Sequence, residues 1–189
     1  MMQPGFTDPV LDAQSCFRAV LEAMSRPGLV QQAGAGLTPP APLAPATAAV
    51  LLTLADAETP IWQDAGEAAA EWLRFHAGCP LVAAPAQAAF LLATGAPPSL
   101  DGLALGSDEE PQASATLILQ VVALEQAPGL TLTGPGIEHK HALRVDGLPP
   151  GFWAAREKLR PLFPRGIDLI LCAGTRLAAL PRTTRVTEG

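Results

Sequence analysis

Two stretches decide the architecture: Thr116-Leu117-Ile118-Leu119-Gln120-Val121-Val122 and Ile167-Asp168-Leu169-Ile170-Leu171-Cys172. Each is a short, nearly continuous apolar run, the pattern of a strand buried on both faces. Leu81 to Ala84, Ala89 to Leu92 and Leu130 to Thr133 read the same way. Helical spacing dominates before them. Asp8-Pro9 opens a helix whose Phe17, Val20, Leu21 and Met24 form one stripe, closed by Pro27-Gly28. Pro45 opens a second, with Ala46, Ala49, Val50, Thr53 and Leu54 on one face, ending near Asp56 before an extended Thr59 to Trp62. Asp64 with Glu67 forms a capping-box signature for a third, which runs to about His76 and stops at Gly78. A fourth begins at Pro149-Pro150-Gly151, carries Phe152, Arg156, Leu159 and Arg160, and precedes the turn Phe163 to Gly166. Helices and strands mixed in this order imply α/β layering. Thr38 to Pro45 and Ser107 to Pro111 read as exposed connectors.

The 189 residues suit one hydrophobic core, so residues 1–189 are expected to form a single domain. Hydrophobic residues make up 49% and charged residues only 16%, which predicts that apolar surface is buried against partner chains. Net charge is −6 and the twelve basic residues are scattered, so no stripe exists to meet a phosphate backbone and nucleic-acid binding is disfavoured. No apolar run reaches the roughly 18 residues of a membrane span, and Asp8 and Asp12 stand where a secretory signal needs positive charge. A cytoplasmic protein is expected. Cys16, Cys79 and Cys172 are odd in number and set among apolar neighbours, which predicts buried reduced thiols.

Four blocks carry a resemblance. They are Phe17-Arg18 with Ala23-Met24-Ser25-Arg26-Pro27-Gly28; Leu51 to Asp56 with Glu58-Thr59-Pro60-Ile61-Trp62; Leu73-Arg74-Phe75-His76 with Pro80-Leu81-Val82; and a carboxyl-terminal group. That last group holds Ala115 to Val121, Leu132-Thr133-Gly134-Pro135-Gly136-Ile137, Phe163 to Leu171 and Leu180-Pro181-Arg182-Thr183-Thr184. In this order they resemble the PhnH family, the H subunit of bacterial carbon-phosphorus lyase. The resemblance implies a mixed central sheet flanked by helices, similar to the large domain of pyridoxal-phosphate-dependent transferases, and a homodimer. It implies the G, I and J subunits as partners, with I the direct contact. In that complex a phosphonate is coupled to the ribose of ATP with loss of adenine. The resemblance supplies no catalytic residue for the H subunit.

A transferase-like fold invites pyridoxal phosphate, which needs a Schiff-base lysine. Lys140 lies in a polar segment and Lys158 on what reads as a solvated helix face, both outside the matching blocks, so no cofactor is expected. His139 and His141 share one side of a strand, but no third ligand follows, and surface histidines in a turn are the simpler reading. His76 stands near a helix end, where capping competes with ligand contact. Gly134 and Gly136 flank a turn able to bring amides to an anion, without the Lys and Ser/Thr of a nucleotide-binding loop; a tight turn is again the simpler reading. Arg26, Arg165 and Arg182 each sit beside Pro or Gly. Asp168 interrupts an apolar strand, a charge that needs an arginine from one of those turns. A structural Arg-Asp link stands against a composite anion site completed by another subunit. Ser25 and Ser114 lack a nucleophile-elbow setting. The reading is thus an accessory binding subunit with no catalytic or metal residue. Its rivals are a free-standing enzyme for a small phosphorylated substrate, with Arg26, Arg165 and Asp168 converging, and a purely structural homodimer.

Overall fold

The structure is a computed structural model that describes residues 2–189. Its helices are α1 (Pro9–Ser25), α2 (Pro45–Leu54), α3 (Glu67–Ala77) and α4 (Phe152–Glu157). Its strands are β1 (Gln31–Gln32), β2 (Ile61–Gln63), β3 (Phe90–Ala93), β4 (Thr116–Gln120), β5 (Ala123–Thr133), β6 (His141–Asp146), β7 (Asp168–Ala173), β8 (Arg176–Leu180) and β9 (Arg185–Thr187). Six of them make a mixed sheet in the order β1-β8-β7-β4-β3-β2, in which β2, β3, β4 and β7 run parallel. β8 and β1 add antiparallel at one edge. The fold is α/β with a mixed sheet and helices.

Alternation along the parallel strands explains the layers. Ile118 and Ile170 point into one core with Cys16 and Val20 of α1, Ala46 to Leu51 of α2, and Trp72 and Leu73 of α3. Leu117, Leu119, Leu169 and Leu171 point the other way, under α4 and a second sheet of order β6-β5-β9. Both faces are covered, which is why these strands read as continuous apolar runs. α2 is buried over six consecutive residues, Ala46 to Leu51, because α1, α3 and the sheet enclose it and its alanines permit close approach. Gln120, at the end of β4, fixes the proline-rich connector: its side-chain oxygen accepts from the Ala44 amide (2.7 Å) and Thr47 hydroxyl, and its amide donates to the Pro42 carbonyl.

Several local readings need correction. Leu81 makes only an isolated bridge to Ile61, because Pro80 and Pro85 bracket the run and a 3-10 turn (Pro85–Gln87) follows. Asp8 caps α1 through the Val10 and Leu11 amides as expected, whereas α3 has Gly66 at its cap. The Asp64 carboxylate instead accepts from the Thr94 amide and hydroxyl and the Gly95 amide, tying β2 to β3. Leu130 to Thr133 is the end of the longer β5, whose register slips between Glu125 and Leu130, around Pro128-Gly129. The stripe on α1 is split: Val20 is buried, but Phe17 and Leu21 remain 49% and 57% exposed.

All three cysteines are buried and unpaired. Burial pushes Cys172 up to about 12. An unfolded thiol releases its proton near pH 8.5, so above that value the unfolded chain binds fewer protons and stability falls as pH rises toward 12. Denaturant midpoints should decline across this window and decline less for Cys172→Ala. Ellman's reagent should label three thiols after denaturation and none in the native state.

Candidate functional site

Strand β7 begins at Asp168, and the loop after β8 lays Arg182 across it. The Asp168 carboxylate accepts from the Arg182 amide (2.7 Å), from its Nε (3.2 Å) and from its Nη2. The same guanidinium donates through Nη1 to the carbonyls of Pro111 (2.8 Å) and Pro164 (3.2 Å), and through Nη2 to the Ser114 hydroxyl. All five guanidinium donors are used. One side chain thus ties together the acidic connector, the Phe163 to Gly166 turn and the end of the main sheet.

A second arginine holds the same loop from beneath. Arg156 of α4 has only 4% of its side chain exposed and donates to the carbonyls of Thr184 (2.9 Å), Pro181 (2.7 Å) and Leu180 (3.3 Å). Glu157 lies 3.3 Å from Arg156 Nη1 and 3.3 Å from Arg160 Nε, and also accepts from the Val186 amide. Desolvation lowers the proton affinity of Arg156, and Glu157 and Asp168 partly restore it. The expectation of a solvated face here was wrong for Arg156. It stands four residues after buried Phe152, on the same side of the helix.

The other expected residues fall into three places. Arg165 joins the cluster: its Nε is 3.1 Å from Asp108 but off the line of a hydrogen bond. It shares a small pocket with Arg156, Arg160, Gly166 and Arg182. Gly134 and Gly136 form a turn closed by the Ile137 amide on the Gly134 carbonyl (3.1 Å). A Cβ on Gly134 would come within 3.0 Å of the Thr183 carbonyl, and one on Gly136 within 2.1 Å of the Ser25 carbonyl. This turn is therefore wedged between α1 and the Arg182 loop. Gly136 also has φ +82°, so Gly136→Ala should cost about 2 kcal/mol or more in urea melts, from backbone strain and overpacking together.

Arg26 projects from the end of α1, 63% exposed and 3.2 Å from Glu22. It does not pair with Asp168, so the convergence of Arg26 with Arg165 and Asp168 is not formed. His76 lies elsewhere, on α3: its Nε2 is 3.0 Å from the Gln3 carbonyl, which also accepts from Trp72 Nε1 (2.9 Å). It fastens the amino-terminal segment against the helix. His139 is exposed, while His141 Nδ1 meets the Pro27 carbonyl at 2.7 Å. No group of three candidate metal ligands occurs among the described residues. Lys140 and Lys158 are both exposed.

Three of the stretches quoted from the sequence therefore meet at one end of the molecule: the Ser25 to Gly28 turn, the Gly134 to Ile137 turn and the Arg182 loop with its Asp168 partner. Residues 4–187 match the family described as bacterial phosphonate metabolism protein (PhnH). The chain belongs to the PhnH family. It is 40% identical over 189 residues to the alpha-D-ribose 1-methylphosphonate 5-triphosphate synthase subunit PhnH of Rhizobium meliloti (strain 1021), covering 96% of this chain and 93% of that protein. It is also 46% identical over 82 residues to a putative C-P lyase subunit protein, HtxG, of Stutzerimonas stutzeri, covering 43% of this chain and 42% of that one. No helix of the described residues is long and apolar enough to cross a membrane.

Proposed function

We propose that this chain is an accessory subunit of the carbon-phosphorus lyase core complex. It supports the coupling of an alkylphosphonate to the ribose of ATP with release of adenine, and supplies contact surface in place of a reacting group. The observation that carries this reading is kinship along nearly the whole chain with a PhnH protein named as a synthase subunit. It acts as one PhnH-like domain over residues 1–189, related in fold to the large domain of pyridoxal-phosphate-dependent transferases, in the cytoplasm and without a cofactor. Its partners are a second copy and the G, I and J subunits, with I the direct contact.

Surface chemistry supports a subunit. Val10, Leu11, Phe17 and Leu21 are exposed large apolar side chains on the single helix α1, at 75%, 61%, 49% and 57%. Val10, Phe17 and Leu21 share one side at the i, i+7, i+11 spacing by which a helix anchors in a partner's groove. Arg26 and the turn of Gly134 and Gly136 border the end of this helix, and Arg165, Asp168 and Arg182 form the neighbouring contact region. His76, on α3, is a more remote contact. A tagged copy co-expressed with the I subunit should co-purify with it in stoichiometric amount. The isolated chain should release no adenine from ATP and methylphosphonate. Turnover by the isolated chain would instead favour a free-standing enzyme.

A further inference from the structure

Four strands stand at sheet edges, β1 and β2 in the main sheet and β6 and β9 in the small one. Three of them are two or three residues long, which leaves little unpaired backbone. β6 is the exception, at six residues from His141 to Asp146. It contains no proline, the slip in its ladder falls in β5, and no helix or strand other than β5 packs along it. Leu143 turns its carbonyl toward β5, since a Cβ on Gly129 would lie 3.0 Å from that oxygen. By strand alternation Ala142 and Arg144 turn their N–H and C=O groups to the open side. Among the described residues neither forms a backbone bond outside the sheet. Groups left this way are a template for another strand.

The outward side chains select which strand fits. Lys140, Ala142, Arg144 and Asp146 alternate onto one face, and the first three are exposed. Arg144 and Asp146 pair within the strand at 2.7 Å, which leaves Lys140 at the other end of the row. A second β6 laid antiparallel can be centred on Ala142, Leu143 or Arg144. Centring on Ala142 sets Lys140 against Arg144 of the second copy, and centring on Arg144 sets two guanidiniums against each other. Centring on Leu143 sets Ala142 against Arg144, so the outward backbone groups of both residues bond reciprocally, and sets Lys140 against Asp146 at each end. Like charges directly opposite destabilise a pair of strands and unlike charges stabilise it. Only the register centred on Leu143 avoids repulsion, so the edge is complementary to itself.

We infer that β6 pairs antiparallel with β6 of a second copy of this chain, about a two-fold axis at Leu143, and joins the two small sheets into one. The pairing gives the second copy proposed above its surface and rests on that reading. Sedimentation equilibrium of the full chain over a concentration series, at one low ionic strength so that charges are not screened, measures it. The parent should be a dimer. Lys140→Glu sets carboxylate against carboxylate at both ends of the seam, and Asp146→Lys sets ammonium against ammonium. Each variant alone should raise the dimer Kd about tenfold or more. Lys140 is exposed and the Asp146 side chain is 42% exposed, so neither change touches the core. An equimolar mixture of the two variants regains an unlike pair at both ends, and its Kd should return to within about threefold of the parent's. Arg74→Glu, on α3 and paired with Glu67 in the parent, should dimerise as the parent does. A monomeric parent would overturn the second copy and the seam together. A dimer that both single variants leave intact, or a mixture no tighter than either variant alone, would overturn the seam and leave the second copy to another surface.

Discussion

Replacing Asp168 by alanine destabilises the protein by about 3 kcal/mol, which lowers Tm by roughly 6 to 12 °C for a chain of this size. Removing the carboxylate strands a guanidinium whose other bonds go to neutral carbonyls and a hydroxyl. The side chains of Arg182 and Asp168 are 16% and 21% exposed, so the loss falls at the lower end of the range for a fully buried pair. Arg182→Ala should cost a similar amount by freeing the Phe163 to Gly166 turn as well. The double variant should cost much less than the sum, because the uncompensated charge is then gone. Thermal melts of the three variants check this, and an unchanged Tm for Asp168→Ala would remove the pair from any role in holding this end together.

The double replacement Phe17→Asp/Leu21→Asp should leave Tm nearly unchanged and weaken association with the I subunit by two orders of magnitude or more. Both side chains are already exposed, so the folded monomer loses little when they become polar. A partner groove that accepts an apolar helix face must instead bury two carboxylates without compensation, which costs about 2 kcal/mol or more for each anchor. Retention on a tagged I subunit, with melting followed in parallel, separates loss of contact from loss of fold. Undiminished retention would place the contact on another surface.

The strands that decide the architecture were legible because both faces of the main sheet are covered, which leaves an unbroken apolar run in the chain. β8 was not read, since Arg176-Leu177-Ala178-Ala179-Leu180 has two alanines, weak strand formers, and owes its place to pairing with β7. The two-residue Gly174-Thr175 turn between apolar runs was the hairpin signal available. β6 and β9 escaped because the small sheet is polar on its outer side and bent at Pro128-Gly129. Within the site, sequence required an arginine partner for Asp168 but offered three, and only folding brings Arg182, fourteen residues away, over β7. Arg156 was hidden by its charge. Its four-residue spacing from Phe152 is the signal that marks it as inward-facing, toward the carbonyls of the loop after β8.

The most direct measurement is adenine release from ATP and methylphosphonate by purified G, I and J subunits, with and without this chain. Added chain should raise the rate, the Phe17→Asp/Leu21→Asp variant should fail to raise it, and the chain alone should release none. Full activity without the chain, or release by the chain alone, would contradict an accessory subunit that works by contact.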